Sequence, residues 1–257
     1  MKNILCLLCI GLNLGCSQQY KEASKNTPTV VNNQKEKQYL IQDLQQLSII
    51  DTSEQYEAIV REILKERESL QSKNLTYDSL SVLFKASLLH KIIPFWEGTP
   101  WSFEGHTAHP NKGQIACGYF VSTTLRDLGL HLNRYKLAQQ SPINEALSLA
   151  IHSQVKTFYD TSTVQTIARM KKELKEGIHF IGFNQSHVGY LLLEDSALYI
   201  IHSNYLNGAG VMIEPAAQSD VFSSYYRFFI TELSTNPYLL DCWVNNTAIE
   251  IVREKNK

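Results

Sequence analysis

Apolar residues recur with a helical rhythm as far as Lys175 and then gather into short, nearly unbroken runs. Tyr39, Leu40, Leu44 and Leu47 fall at helical spacing, and Tyr56, Ile59, Val60, Ile63 and Leu64 repeat it, so each set forms one buried stripe of a helix. Asp51-Thr-Ser-Glu54 offers a capping start for the second stripe. A third helix is predicted from Thr76 or Asp78 through Leu80, Leu83, Phe84, Leu88 and Ile92, with Pro94 expected to stop it. Breakers from Gly98 to Gly113 predict a loop. Another helix is predicted from Cys117 through Phe120, Val121, Thr124, Leu125 and Leu128, closing at Gly129. The stretch Ser141 to Lys175 reads as mostly helical, with one start near Pro142 and Asn144 and an amphipathic piece over Thr163 to Lys175.

Beyond Gly177, Ile178 to Phe183, His187 to Leu193 and Leu198 to His202 are separated by Asn-Gln-Ser and Glu-Asp-Ser, which is hairpin spacing. Val211 to Ile213 and Tyr225 to Glu232 continue the sheet. Helices followed by strands predict an α+β domain with a helix packed on an antiparallel sheet. The expected organisation is a signal peptide over 1–15, a flexible tether over 16–37, a helical region over 38–97 and the main domain over 98–257, the last two packed as one unit.

Composition sharpens the picture at the amino terminus. Lys2 and the apolar run Ile4 to Leu12 make an export signal too short to span a bilayer. Leu14-Gly-Cys16-Ser17 resembles the lipobox of bacterial lipoproteins, although Asn13 stands where an aliphatic residue is usual. That resemblance implies lipidation of Cys16 and a membrane-anchored protein of the bacterial cell envelope; acyl chains contribute about 0.8 kcal/mol per buried methylene. The Ser17 to Lys37 stretch is too polar to offset its ordering entropy. Lys plus Arg number 24 against 25 Asp plus Glu, so no strong net field recruits nucleic acid, and none is expected as a partner. Of five cysteines, Cys6 and Cys9 leave with the signal and Cys16 carries lipid. Only Cys117 and Cys242 remain, which excludes a disulfide framework and leaves open whether they pair, are merely buried, or react.

Cys117 opens a predicted helix, where free N–H groups and the macrodipole favour thiolate, so a lowered thiol pKa is expected. A thiolate nucleophile needs a base held by a third polar group. His187 opens one strand and His202 ends the next, and a turn near Glu194-Asp-Ser196 sets the two near opposite each other. These features give a catalytic set of Cys117 as nucleophile, His187 as base and His202 as orienting residue.

Four short motifs resemble those of the NlpC-type, papain-like cell-wall cysteine peptidases. Ser186-His-Val-Gly-Tyr190 resembles their His-Val-Gly strand, and Tyr199-Ile-Ile-His-Ser203 the strand after it. Gly98-Thr-Pro-Trp-Ser-Phe-Glu-Gly105 resembles the loop before the nucleophile, and Cys117-Gly-Tyr-Phe-Val121 the nucleophile helix. The resemblance spans Gly98 to about Glu232. It implies a papain-like fold, hydrolysis of an amide in a peptidoglycan fragment or other acylated envelope substrate, no cofactor, and substrate contacts from Trp101, Gly118 and Ser186. The family's Asp-Cys-Ser is Ala116-Cys117-Gly118 here, which removes a carboxylate and a hydroxyl that help hold the substrate's polar end, so little dependence on a free substrate amine is expected. A longer loop through His106 and His109 is expected over part of the cleft. Three alternatives stay open: an envelope lipoprotein that only binds, an acyltransferase or amidase acting on another acylated substrate, and a zinc site at Glu104, His106 and His109.

Overall fold

The computed structural model describes residues 53–160, 162–184 and 186–252. The signal segment, Cys16, the tether, the Tyr39 to Leu47 stripe and the cap at Asp51 and Thr52 lie outside the described residues. In chain order the helices are α1 (Ser53–Leu70), α2 (Tyr77–Ala86), α3 (Ile93–Trp96), α4 (Cys117–Asp127), α5 (Arg134–Ala138), α6 (Pro142–Ala150), α7 (Thr163–Glu173), α8 (Asp220–Ser223) and α9 (Pro237–Asn245). The strands are β1 (Lys156–Tyr159), β2 (Gly177–Phe183), β3 (His187–Glu194), β4 (Ala197–Asn204), β5 (Gly210–Pro215) and β6 (Arg227–Glu232). The fold is α+β, and the six strands form one antiparallel sheet in the order β1-β6-β2-β3-β4-β5.

Alternation along the strands buries both faces of the sheet. Ile178, Phe180, Val188, Tyr190, Leu192, Ile201 and Val211 pack with Phe120, Val121 and Leu125 of α4, with Phe84 of α2 and with Trp96. Ile181, Phe183, Leu191, Leu193, Ile200 and Ile230 turn the other way, onto Ile167 and Met170 of α7 and Phe222 of α8. Each such side chain contributes roughly 1.5–3 kcal/mol by leaving water, so the sheet is held between two helical layers.

Three differences from the sequence reading have physical causes. Pro94 does not stop the helical run. A wider π-helical turn over Ser87–Ile92 intervenes, and Pro94 then enters α3 in its first turn, where no N–H is needed. The stretch from Ser141 to Lys175 is not all helix, because β1 interrupts it and pairs Phe158 with Phe228 of β6. β1 has only four residues, too short for a clear alternation. Helix α9 was not anticipated, although Asn236 caps it through the Tyr238 and Leu239 N–H groups and Pro237 follows at its start.

Helix α1 is tied to the rest by a buried polar network. The Trp96 indole N–H donates to Tyr56 Oη at 2.8 Å, and Tyr56 donates to Asp127 Oδ2 at 2.6 Å. The guanidinium of Arg126 takes the other carboxylate oxygen, from Nε at 2.8 Å and Nη2 at 2.6 Å.

Candidate active site

Cys117 is the first residue of α4, and the loop before it is pinned on several sides. Gly98 N–H donates to Val211 O at 2.8 Å and Val211 N–H to Thr99 O at 2.9 Å, so this loop pairs with the β5 edge. Ile115 N–H reaches Pro100 O at 2.9 Å, Ala116 N–H reaches Gly105 O at 2.8 Å, and Ser203 Oγ donates to Ile115 O at 2.7 Å. Ala116 at the N-cap supplies no side-chain acceptor. The first-turn N–H groups are therefore left to whatever occupies the cleft, at the expense of roughly 1 kcal/mol of capping.

The sequence predicted His187 and His202 to be near opposite, and the register shifts them apart. Asp195 and Ser196 make a two-residue turn with Glu194 paired to Ala197 and Tyr190 to Ile201, so Gly189 rather than His187 comes against His202. A Cβ added at Gly189 would stand 2.9 Å from His202 Cβ and 2.8 Å from Ile201 O. Without that side chain, His202 crosses diagonally to His187: His187 Nε2 and His202 Nδ1 are 2.8 Å apart, with ring centroids at 5.0 Å and planes at 79°.

A residue the sequence reading missed completes the line. His202 Nε2 lies 3.0 Å from Glu214 Oε1, and Ser219 Oγ donates to the same oxygen at 2.6 Å. Burial pushes Glu214 up, but the hydrogen bonds from His202 and Ser219 outweigh it and leave the carboxyl below its ordinary range. An ionised Glu214 only accepts, so His202 must carry its proton on Nε2 and accept on Nδ1. His187 then carries its own proton on Nε2. Its Nδ1 is left as a lone pair, and that atom is buried without a hydrogen-bond partner. Burial, with the adjacent His202 adding to it, holds His187 well below the ordinary imidazole range, so the ring is a neutral base at neutral pH.

Cys117, His187, Gly118, Trp101 and Ser186 all line one cleft of about 720 Å³. His202 stands behind His187, fully buried. Strand alternation places His187, His202 and Glu214 on the sheet face away from α4, and thiol and imidazole both line the cleft without being hydrogen-bonded to each other. The Val188 N–H nevertheless acts directly on the thiol, one residue from the base. Trp101 faces Tyr205 at 6.1 Å, Tyr205 meets His187 edge-on at 5.3 Å, and Ser186 Oγ lies 3.0 Å from Tyr225 Oη. Tyr205, Tyr225 and Glu145, none singled out from the sequence, also line the cleft.

The expected lowering of the Cys117 pKa is overturned. Burial pushes the thiol up to about 11, and Glu145 adds to this, while the N–H groups of Val188, Gly118 and Cys117 pull the other way without prevailing. Helix position favours thiolate only where water or a cation helps to carry the charge. Cys117 and Cys242 are both free thiols, which removes the disulfide alternative.

The loop after Gly98 gives Phe103 and Glu104 to the cleft, whereas His106 and His109 are not among its lining residues. His106 Nδ1 lies 2.8 Å from Glu104 O, and His109 Nδ1 is 3.8 Å from Glu57 Oε1. Among the described residues no three His, Cys, Asp or Glu side chains gather as metal ligands would, and no helix is long and apolar enough to cross a membrane. No family model matches this chain, and no curated protein and no solved structure matches it either.

Proposed function

We propose that this protein is a cysteine hydrolase of the NlpC-type, papain-like kind, anchored in the bacterial cell envelope through Cys16 and cleaving an amide in a peptidoglycan-derived or other acylated substrate. The observation that carries this reading is the line Glu214, His202, His187, which fixes every ring proton and ends in a buried lone pair beside the cleft that holds Cys117.

The chemistry follows from the protonation states. The thiol and imidazole are both neutral, so the proton leaves Sγ for His187 Nδ1 as Sγ bonds to the substrate carbonyl carbon, rather than beforehand. The carbonyl oxygen becomes an oxyanion, for which the uncapped N–H groups at the start of α4 are available. As the carbon–nitrogen bond breaks, Nδ1 returns the proton to the departing amine and a thioester remains. Water then attacks the thioester with Nδ1 taking its proton, and Sγ regains a proton as the carboxylic acid leaves. His202 and Glu214 stabilise the transient imidazolium and hold its orientation.

The test is incubation of the protein with muropeptides and acylated small molecules, followed by mass spectrometry. Released product together with an acyl adduct on Cys117, both absent in Cys117→Ala, is the expected result. Binding without either would leave an envelope-binding protein, and a transferred rather than hydrolysed acyl group would make it an acyltransferase.

A further inference from the structure

Glu145 is a carboxyl for which the chemistry above has no use. It stands in the first turn of α6, 2% exposed, and lines the same cleft as Cys117. Its Oε2 is buried with no hydrogen-bond partner. Burial pushes its pKa well above the ordinary carboxylate range. A buried polar atom left unpaired costs about 1–3 kcal/mol, and on a side chain that lines a cleft it points to a ligand that pairs it.

We propose that Glu145 is a specificity-determining residue whose buried, unpaired carboxyl pairs, as one donor and one acceptor, with one peptide or carboxamide group of the substrate beside the bond under attack. This rests on the cysteine-hydrolase reading. A neutral carboxylic acid offers one donor and one acceptor side by side, which is the complement of an amide N–H and C=O. A substrate carboxylate finds no cation there, because among the described residues no Lys or Arg lines the cleft. At Glu145 a substrate ammonium would have to give up its water and also draw the proton from a buried acid; the exposed Glu104 is the other carboxyl lining the cleft and takes no part in this pairing. An ionised Glu145 would moreover oppose the reaction, since its charge disfavours the thiolate at Cys117 and would disfavour the oxyanion likewise; a protonated one does neither.

The acid sits directly against the residue after the nucleophile. A Cβ added at Gly118 would stand 2.8 Å from Ala138 O and 3.3 Å from Glu145 Oε1. The absence of a side chain at Gly118 thus lets the Ala138 backbone and the Glu145 carboxyl pack against the start of α4. Trp101 brings a second unpaired group, its buried indole N–H, as a further donor for a substrate carbonyl.

The test compares labelling of Cys117 by an N-acetylated dipeptidyl chloromethyl ketone, in which a carbon–sulfur bond forms as chloride leaves, with labelling by iodoacetamide, which reports thiol reactivity alone. Relative to iodoacetamide, Glu145→Gln should label with the peptidyl reagent within about threefold of the unmutated protein, because the amide keeps a donor and an acceptor. Glu145→Ala should lose about 10- to 100-fold, the factor corresponding to one or two lost hydrogen bonds. In the unmutated protein, replacing the reagent's peptide N–H by an ester oxygen should slow labelling about tenfold, an arm that needs no variant to fold. An equal loss in Glu145→Gln and Glu145→Ala, with a reagent bearing a free amine preferred over the acetylated one, would show a carboxylate that binds a cation and would overturn the proposal. Equal labelling across all variants and both reagents would overturn it too. If the peptidyl reagent failed to label the unmutated protein while iodoacetamide succeeded, the cysteine-hydrolase reading itself would fall, and the role of Glu145 with it.

Discussion

Two largely buried polar networks of similar size, one at the last turn of α4 and one across strands β3 to β5, end differently. In the network of Trp96, Tyr56, Asp127 and Arg126, each donor finds an acceptor and both carboxylate oxygens are taken. In the line of Glu214, His202 and His187, the inner members are equally well paired, but the last nitrogen has no partner. A closed network returns the desolvation of its groups as fixed packing. An open one leaves the desolvation of one atom uncompensated, and that atom belongs to a residue lining the cleft that holds a thiol. Incomplete pairing alone does not mark a site, since His179 Nδ1 is also buried without a partner; at His187 it coincides with a cleft that holds a thiol.

The largest expected effect separates the two networks outright. Cys117→Ala should abolish turnover while leaving the unfolding midpoint nearly unchanged, whereas Asp127→Ala should destabilise by about 3 kcal/mol with normal activity per folded molecule. Denaturant melts and product release on the same samples measure both; an inactive but fully stable Asp127→Ala would break the comparison. Next in size, His202→Ala should cut the acylation rate about 10²- to 10³-fold and Glu214→Gln about tenfold, since a mis-oriented imidazole still samples the productive tautomer part of the time. Single-turnover kinetics would reveal it if His202→Ala were as inert as Cys117→Ala, and the orienting role would then be wrong.

A smaller effect concerns pH. His187 acts as a neutral base, and burial followed by His202 lowers its pKa well below 6.5, so activity should be lost only as pH falls below that value. The thiol at about 11 places the alkaline limb high. The kcat/KM profile should therefore be flat from about pH 6.5 to 9, and an alkaline limb near 8.5, the pKa of an ordinary cysteine thiol, would contradict the buried-thiol picture. The smallest change is Tyr56→Phe, expected to cost roughly 1–3 kcal/mol of stability through the hydrogen bond lost to Asp127 and to leave kcat alone.

What the sequence revealed and what it concealed divide along the range of the interactions. Helix α4 and its closing Gly129 were legible because periodicity and capping are local, and so were strands β2 to β4, whose turns lie between adjacent runs. Strand β1 was not, because Lys156–Tyr159 becomes a strand by pairing with distant β6. Cys117, His187 and His202 were legible as residue types in order, yet their register was shifted, since Gly189 sets the diagonal approach. Glu214 and Glu145 carried no local signal at all. One acquires its role by lying diagonally across from His202, and the other by the packing of α6 on β2 and β6, which brings its carboxyl to Gly118, so neither is visible until the chain has closed. The thiol pKa was misread for the same reason: the helix terminus is a local property, while desolvation belongs to the whole surroundings.

The pinned loop before Cys117 has a consequence for the order of folding. Gly98 and Thr99 bond to Val211, and Ile115 is held by Ser203, 88 residues further along the chain. Contacts between such remote segments form only after the intervening chain has paid its closure entropy. The nucleophile loop is therefore seated only when the segments carrying Ser203 and Val211 are in place. Until then Cys117 is an ordinary thiol on an unplaced segment, without its base and without the N–H groups that receive the acyl oxygen. On the proposed reading of an exported hydrolase, activity would thus switch on with the last long-range contacts, and a chain caught half-folded would have none to misdirect.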